Sequence, residues 1–75
     1  MIDYTLKTFT ASMHMNKYSD NTLRLYVYGT AFVEFHKLQD EYTIINVEEK
    51  FYNNEKAEVR QLNVTLTLVK NGDIN

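Results

Sequence analysis

The sequence contains no cysteine, no proline and no tryptophan, and only two of its 75 residues are glycine. Without cysteine there can be neither a disulfide nor a thiolate metal site. A chain this short must therefore gain its stability from packing or from self-association. A chain of this length can also bury one hydrophobic core but not two. We therefore expect a single domain over residues 1–75, with a flexible tail at about residues 71–75 that begins at the turn-forming pair Asn71-Gly72.

Long hydrophobic runs are missing as well. No segment approaches the ~20 apolar residues that cross a bilayer, and no helical pattern has a basic polar face, so the sequence gives no support to a membrane role. The N-terminal segment MIDYTLKTFT lacks the basic and apolar regions of a secretory signal. We therefore expect a cytoplasmic protein, in the host cytoplasm if the gene belongs to a phage.

Positive charge is too sparse for avid binding to phosphate backbones. Eight Lys and Arg stand against ten Asp and Glu, which gives a net charge of −2, whereas non-specific nucleic-acid binding needs clustered basic residues. This balance favours protein partners. Abundant Asn, Lys, Tyr and Ile are typical of AT-rich genes, such as those of many phages and low-GC bacteria.

Alternation of apolar and polar residues, the pattern of a β-strand, is the strongest signal in the sequence. It runs through TLRLYVYGTAFVEF, residues 22–35, and recurs most cleanly in QLNVTLTLVK, residues 61–70. EYTIINVEEKFY, residues 41–52, alternates as well, although residues 48–58 could instead form a short helical turn. The N-terminal segment changes phase near residues 7–8, which predicts a β-bulge or, alternatively, two short strands.

The polar segments between these strands are short, so consecutive strands should pair as antiparallel hairpins. We therefore predict an all-β or mostly β fold, with at most a short helical turn, built as a four-stranded antiparallel meander. In the first hairpin, Phe9 would lie opposite Gly29 and cover the backbone of that glycine. In the last hairpin, with a turn at residues 53–56, Glu49 would form an ion pair with Arg60.

One face of this predicted sheet is apolar, and no segment remains to cover it. Two solutions are physically reasonable. Two copies can pack face to face as a sandwich, which predicts a homodimer. Alternatively, the long strands can bend into a small barrel that encloses its own core.

The other parity of residues 22–35 carries a row of aromatic side chains. Tyrosine supplies contact area at a low entropic cost, so this row predicts a protein-binding face. Ordinary packing between neighbouring strands would explain the row equally simply. The candidate residues are Arg24, Tyr26, Tyr28, Phe32 and Tyr42.

Acidic side chains predict a second surface around the two later loops. They could meet a basic partner protein, or they could simply keep the loops of a small protein solvated. The candidate residues are Asp40, Glu41, Glu48 and Glu49.

Residues that could carry out chemistry are few. His14 and His36 are the only imidazoles, and Glu34 with His36 gives too few converging groups for a metal or catalytic site. There is no phosphate-binding glycine loop and no nucleophile motif. We therefore expect no enzyme activity, no catalytic residue, no metal and no cofactor.

These observations favour a small, acidic, non-enzymatic module that binds a protein. A phage or mobile-element accessory protein, which inhibits or modulates a host protein by occupying its surface, is the concrete form of this hypothesis. The alternative is an RNA- or single-stranded-DNA-binding regulator that stacks bases on an aromatic sheet face.

Overall fold

The computed structural model describes residues 3–73 and consists of three β-strands and one α-helix, followed by a single 3₁₀ turn. Their bounds are β1 (Tyr4–His14), α1 (Asp20–His36), β2 (Tyr42–Asn54), β3 (Val59–Lys70) and the 3₁₀ turn Asn71–Asp73. The protein is therefore mostly β, as predicted. Its sheet, however, has three strands rather than four.

The central strand of the sheet is β3, which is antiparallel to both of its neighbours in the order β1-β3-β2. Phe9 of β1 lies opposite Val64, and Phe51 of β2 lies opposite Leu62. The two edge strands consequently run parallel to each other. A connection between parallel strands has to cross over the sheet, and α1 provides this crossover.

The core lies between α1 and one face of the sheet. The helix buries three residues spaced four apart, which is the stripe expected of a helix packed on one side. The central strand buries every second residue from Leu62 to Leu68 on the facing side. The members of this core are Leu23, Val27, Ala31, Leu62, Val64, Leu66 and Leu68. Within residues 3–73, no helix is long and apolar enough to cross a membrane.

The predicted four-stranded meander is wrong, because residues 22–35 lie within α1. The helix begins after Ser19, whose side-chain oxygen accepts a hydrogen bond from the backbone N–H of Thr22 at 3.2 Å, as an N-cap residue does. The predicted contact between Phe9 and Gly29 therefore does not exist. The dimeric sandwich and the barrel lose their basis too, since α1 covers the apolar face that both were meant to bury.

The predicted β-bulge near residues 7–8 is also wrong, and so is the alternative of two short strands, because β1 is one strand. Along β1 the pairing with β3 is continuous, and the irregularity of the sheet lies in β2, between Ile44 and Asn46. The phase change in the sequence has a simpler cause. Tyr4 and Leu6 lie on the side of the sheet away from α1, where they are 60% and 66% exposed, so they do not belong to the core pattern.

The last hairpin is antiparallel, as predicted, but its turn comes two residues later, at residues 55–58. This shift places Glu49 opposite Val64 and Arg60 opposite Asn53. The predicted Glu49–Arg60 ion pair is therefore wrong. Residues 48–54 belong to β2, and the helical alternative for this stretch is wrong as well.

The predicted tail, residues 71–75, lies partly outside the described residues. Its first residue is held against the turn that follows α1. The backbone N–H of Asn71 donates to the carbonyl of Glu41 at 2.8 Å, and its side-chain Nδ2 donates to the carbonyl of Asp40 at 3.1 Å.

Candidate functional site

The predicted protein-binding face is divided between two sides of α1 and the start of β2. Tyr26 and Phe32 are 59% and 51% exposed. Arg24 and Tyr28 turn toward β2, where their side chains bind Glu49. Tyr42 begins β2 and is partly buried against the core. Sequence reasoning therefore found side chains that the structure places on more than one surface.

A continuous apolar surface lies instead along the side of α1 that faces away from the sheet. We call it the outer helix face and define it by Leu25, Tyr26, Gly29, Phe32 and Val33. Their spacing of three and four residues places them on one side of the helix. The two aliphatic side chains are strongly exposed, 76% for Leu25 and 63% for Val33. None of these residues carries a charge at neutral pH.

Sequence reasoning missed Leu25, Gly29 and Val33. Their odd-numbered parity placed them in the core of a strand, with Leu23 and Val27. The signal that could have found them is helical spacing, because Leu23, Val27 and Ala31 form one stripe and leave the outer helix face opposite to it.

The second feature of α1 is a hydrogen-bonded cluster that joins the helix to β2. The carboxylate of Glu49 accepts from Nε and the terminal nitrogen Nη2 of Arg24 at 3.3 and 3.2 Å, and from the hydroxyl of Tyr28 at 2.9 Å. Hydrogen bonds from Arg24, and then from Tyr28, hold the pKa of Glu49 below its usual value. Partial burial, followed by the hydrogen bond to Glu49, raises the pKa of Tyr28.

The ring of Phe51 lies beside this cluster, between two guanidinium groups. The guanidinium carbons of Arg24 and Arg60 are 5.0 and 5.6 Å from its centroid, which is within cation–π range. Arg60 also forms an ion pair with Asp20 at the start of α1 and donates to the side chain of Asn53 at 2.8 Å. Both arginines thus face carboxylates, which reduces the positive potential that they could offer to phosphates.

This cluster has a structural role. The helix packs mainly on β1 and β3 and reaches β2 through the long side chains of Arg24 and Tyr28. The cluster therefore holds α1 above an edge strand that the core covers incompletely, since Ile45 and Val47 of β2 remain 49% and 42% exposed.

The acidic residues predicted to form one surface do not lie together. Asp40 and Glu41 belong to the turn after α1, where their backbone carbonyls bind Asn71. Glu48 lies opposite Thr65 on the side of the sheet away from α1. Glu49 lies on the helix side, within the cluster described above.

The side of the sheet away from α1, which we call the open sheet face, is mostly polar in its middle, where Glu48 and Lys50 accompany threonines and amides. The exposed side chains of Tyr4, Leu6 and Tyr52 lie toward its ends. Its threonines and amides bind each other: the hydroxyls of Thr8 and Thr65 are 3.0 Å apart, and Thr10 donates to Asn63 at 2.8 Å. The aromatic row on which bases were expected to stack lies on α1 rather than on this face. The nucleic-acid hypothesis therefore loses the platform that suggested it.

Within residues 3–73 no group of three His, Asp or Glu side chains could hold a metal ion, and two depressions of the surface are shallow. One depression, of about 340 Å³, lies at the turn between β2 and β3 and is lined by apolar and amide side chains. The other, of about 320 Å³, lies beside Leu25 and adjoins the outer helix face. Neither brings together the acid, base and nucleophile of a catalytic site.

The sequence matches no protein-family model, and comparisons with curated proteins and with solved structures give no match either. Inferences about function therefore start from the surfaces of this chain alone.

Proposed function

We propose that the protein is a non-enzymatic protein-binding module and that the outer helix face is its docking surface. One observation carries the proposal: Leu25 and Val33 are 76% and 63% exposed, with two half-exposed aromatic rings between them and no charge among them. Burying a large apolar side chain stabilises a complex by ~1.5–3 kcal/mol. Contiguous exposed apolar patches mark interaction sites for this reason.

The composition of the face suits an interface. Aromatic residues are common among the side chains that dominate binding energy, and the aromatic Tyr26 and Phe32 of this surface are about half exposed. They belong to a helix that is capped at Ser19 and anchored by three buried residues. A partner would therefore meet side chains on an already ordered backbone and would lose little entropy on ordering them.

The open sheet face is a weaker candidate. Its hydroxyl and amide groups already bind one another, as in the Thr10–Asn63 hydrogen bond, and desolvating them would offset much of any gain from contact. The outer helix face contains no such groups except the hydroxyl of Tyr26.

The accessory-protein hypothesis from the composition fits this mode of action. A phage or mobile-element protein can inhibit a host factor by covering its surface, and that mechanism needs no reaction step. In this form of the proposal the outer helix face would lie in an apolar groove of the host protein, as amphipathic helices do in helix-in-groove complexes.

Site-specific photo-cross-linking tests the proposal. We would replace Tyr26 by p-benzoylphenylalanine in cells that naturally express the chain and, as a matched control, replace Tyr52 of the open sheet face, which is 50% exposed. We expect a discrete protein product from position 26 and none from position 52. Products from position 52 alone, or from neither position, would overturn the proposal. A product sensitive to nuclease would support the nucleic-acid alternative instead.

A further inference from the structure

Gly29 lies in the middle of α1 and has no explanation within the chain. Glycine in a helix interior is unfavourable by ~1 kcal/mol relative to alanine. Its φ angle is not positive, and a Cβ added at this position would meet no atom within 4 Å beyond its chain neighbours and the helix's own backbone. Neither backbone conformation nor internal packing therefore requires a glycine here.

Gly29 is also the centre of the outer helix face, and the residues on either side of it match chemically. Four residues before and after it are the aliphatic pair Leu25 and Val33. Three residues before and after it are the aromatic pair Tyr26 and Phe32. When two copies of this helix pack antiparallel with Gly29 on the two-fold axis, like residues lie at the same level along the pair: Leu25 is level with Val33 of the second copy, and Tyr26 is level with its Phe32.

We infer that the outer helix face binds a second copy of this chain, in an antiparallel helix pair with Gly29 on the two-fold axis. The inference rests on the proposed function, that this face is a docking surface, and it names a second copy of the chain as the occupant in place of a host protein. A two-fold dimer uses the same surface on both subunits, so that surface has to be complementary to itself. The matched residues around Gly29 meet this condition.

Close approach supplies the missing role for the glycine. Helix axes normally pack 8–10 Å apart, at a distance set by the side chains at the contact, and small residues at the crossing point allow the backbones to come closer. With no Cβ at the axis, the Leu25 and Val33 side chains of the two copies can interlock around Gly29. The helix penalty of the glycine would then be offset by the contacts it permits.

Charge also favours a second copy. The chain has a net charge of −2, so most pairs of identical surfaces would repel each other weakly. The outer helix face carries no charge at neutral pH, and the antiparallel arrangement brings the positive end of each helix dipole beside the negative end of the other. Two copies can therefore meet here without like charges in contact.

The size of the surface predicts a weak dimer. The exposed side chains of one helix amount to a patch of several hundred Å², which is less than the ~800 Å² that each partner contributes to a standard stable interface. We therefore expect a dissociation constant in the micromolar range, and the association has to be measured over a range of concentrations.

Cysteine cross-linking tests both the partner and the direction of the pair. The chain has no cysteine, so a substituted cysteine is its only thiol. We would prepare Leu25→Cys and Val33→Cys chains and oxidise each alone and both mixed, at a concentration above the micromolar range. We expect the mixture to form several-fold more of the Leu25→Cys–Val33→Cys disulfide than either chain forms with itself. A Thr30→Cys chain, exposed on the same helix but off this face, gives the background of random collisions.

A second pair of variants separates association from folding. Gly29→Ala should raise the melting temperature of the dilute monomer, because alanine favours the helix, and should weaken dimerisation about tenfold or more by adding a methyl group at the axis, as one lost packing contact can do. Thr30→Ala should leave dimerisation unchanged. Sedimentation velocity measures the association, and a stabilised monomer shows that the fold is intact.

These experiments distinguish a failure of the antiparallel pair from a failure of the proposed function. Efficient self-linking of each single-cysteine chain, or equal dimerisation of Gly29→Ala and the native chain, would overturn the antiparallel pair. A chain that stays monomeric while position 26 cross-links to a different protein would overturn this inference and leave the proposed function intact. A monomer with no cross-link at position 26 would overturn both.

Discussion

Two segments of this chain, TLRLYVYGTAFVEF and QLNVTLTLVK, share an alternating pattern, yet the first lies in α1 and the second in β3. The difference lies in the residues between the alternating aliphatic ones. In β3 these are mostly polar, Gln61, Asn63 and Thr65 among them, so only a period of two separates apolar from polar. In α1 the intervening residues include the apolar Tyr26 and Phe32, so the same sequence also provides a buried stripe at helical spacing. Alternation of aliphatic residues indicates a strand only where the residues between them are polar.

The helix is favoured by its N-cap, by its buried stripe and by the sheet that it covers. Ser19 supplies an N-cap, and Leu23, Val27 and Ala31 supply a stripe of the right spacing for burial on one side. The alternation of β3 buries a row of aliphatic side chains that needs a covering layer. The helix meets that need and leaves its remaining apolar residues on the outer helix face. The same excess of apolar residues that obscured the helix thus created the candidate docking surface.

The sharpest test of this comparison uses three leucines. If residues 22–35 were a strand, Leu23 and Leu25 would share a face and would matter equally. In the helix, Leu23 is 1% exposed and Leu25 is 76% exposed, while Leu66 of β3 is 1% exposed. We expect Leu23→Ala and Leu66→Ala each to lower the free energy of unfolding by ~2–5 kcal/mol, as large-to-small core substitutions do.

The matched control is Leu25→Ala, which should change the free energy of unfolding of the monomer by no more than about 0.5 kcal/mol, as surface substitutions do. Urea denaturation at low protein concentration measures all three variants. Equal losses for Leu23→Ala and Leu25→Ala would contradict the helix.

A smaller effect is expected at the start of α1. Ser19→Ala removes the acceptor for the backbone N–H of Thr22 and should destabilise the protein by ~1 kcal/mol, as loss of an N-cap does. Ser19→Asp keeps an acceptor and should restore most of that stability. Thermal unfolding followed by circular dichroism measures both variants, and an alanine variant as stable as the aspartate variant would show that the cap contributes nothing.

The fold was predictable where patterns were unambiguous. The β-rich character, the strand at residues 59–70 and its antiparallel hairpin with residues 42–54 follow from alternation and a short polar turn. The helix was not predicted, because apolar residues on both parities of residues 22–35 left its period undecided. The hairpin register was displaced because several polar residues in a row, Asn53 to Glu58, can each begin the turn.

The candidate site was predictable only in part. Aromatic composition alone drew attention to Tyr26 and Phe32, which lie on the outer helix face. Arg24 and Tyr28 were grouped with them because a strand would place all even-numbered residues on one face, whereas the helix turns these two toward β2. The Glu49 cluster could not be deduced, since it joins residues of α1 and β2 that are about 25 positions apart and depends on how the helix lies across the sheet.

The smallest expected effect concerns the link between α1 and β2. This link depends on the hydrogen bonds of Arg24 and Tyr28 to Glu49, whereas the link between α1 and β3 depends mainly on the core. The pKa of Glu49 is lowered in the folded state from its usual 4.5. Its hydrogen bonds therefore stabilise the fold above pH 4.5, and this contribution is lost as the pH falls through the lowered value. Glu49→Gln should lower stability at pH 7 by ~0.2–1 kcal/mol, as expected for a partly exposed ion pair.

The same variant should flatten the acid limb of the stability curve, so that the native chain and Glu49→Gln approach each other in urea denaturation as the pH falls from 5 toward 3. Tyr28 provides the opposite limb: because its pKa is raised from 10.0, its contribution is present below pH 10 and is lost as the pH rises through the raised value. Glu48→Gln, on the open sheet face, is the neighbouring control: the change of the acid limb should separate the native chain from Glu49→Gln but not from Glu48→Gln. Parallel acid limbs for the native and Glu49→Gln chains would show that the cluster does not couple α1 to β2, and would leave the core and the Arg60–Asp20 ion pair to hold the helix on the sheet.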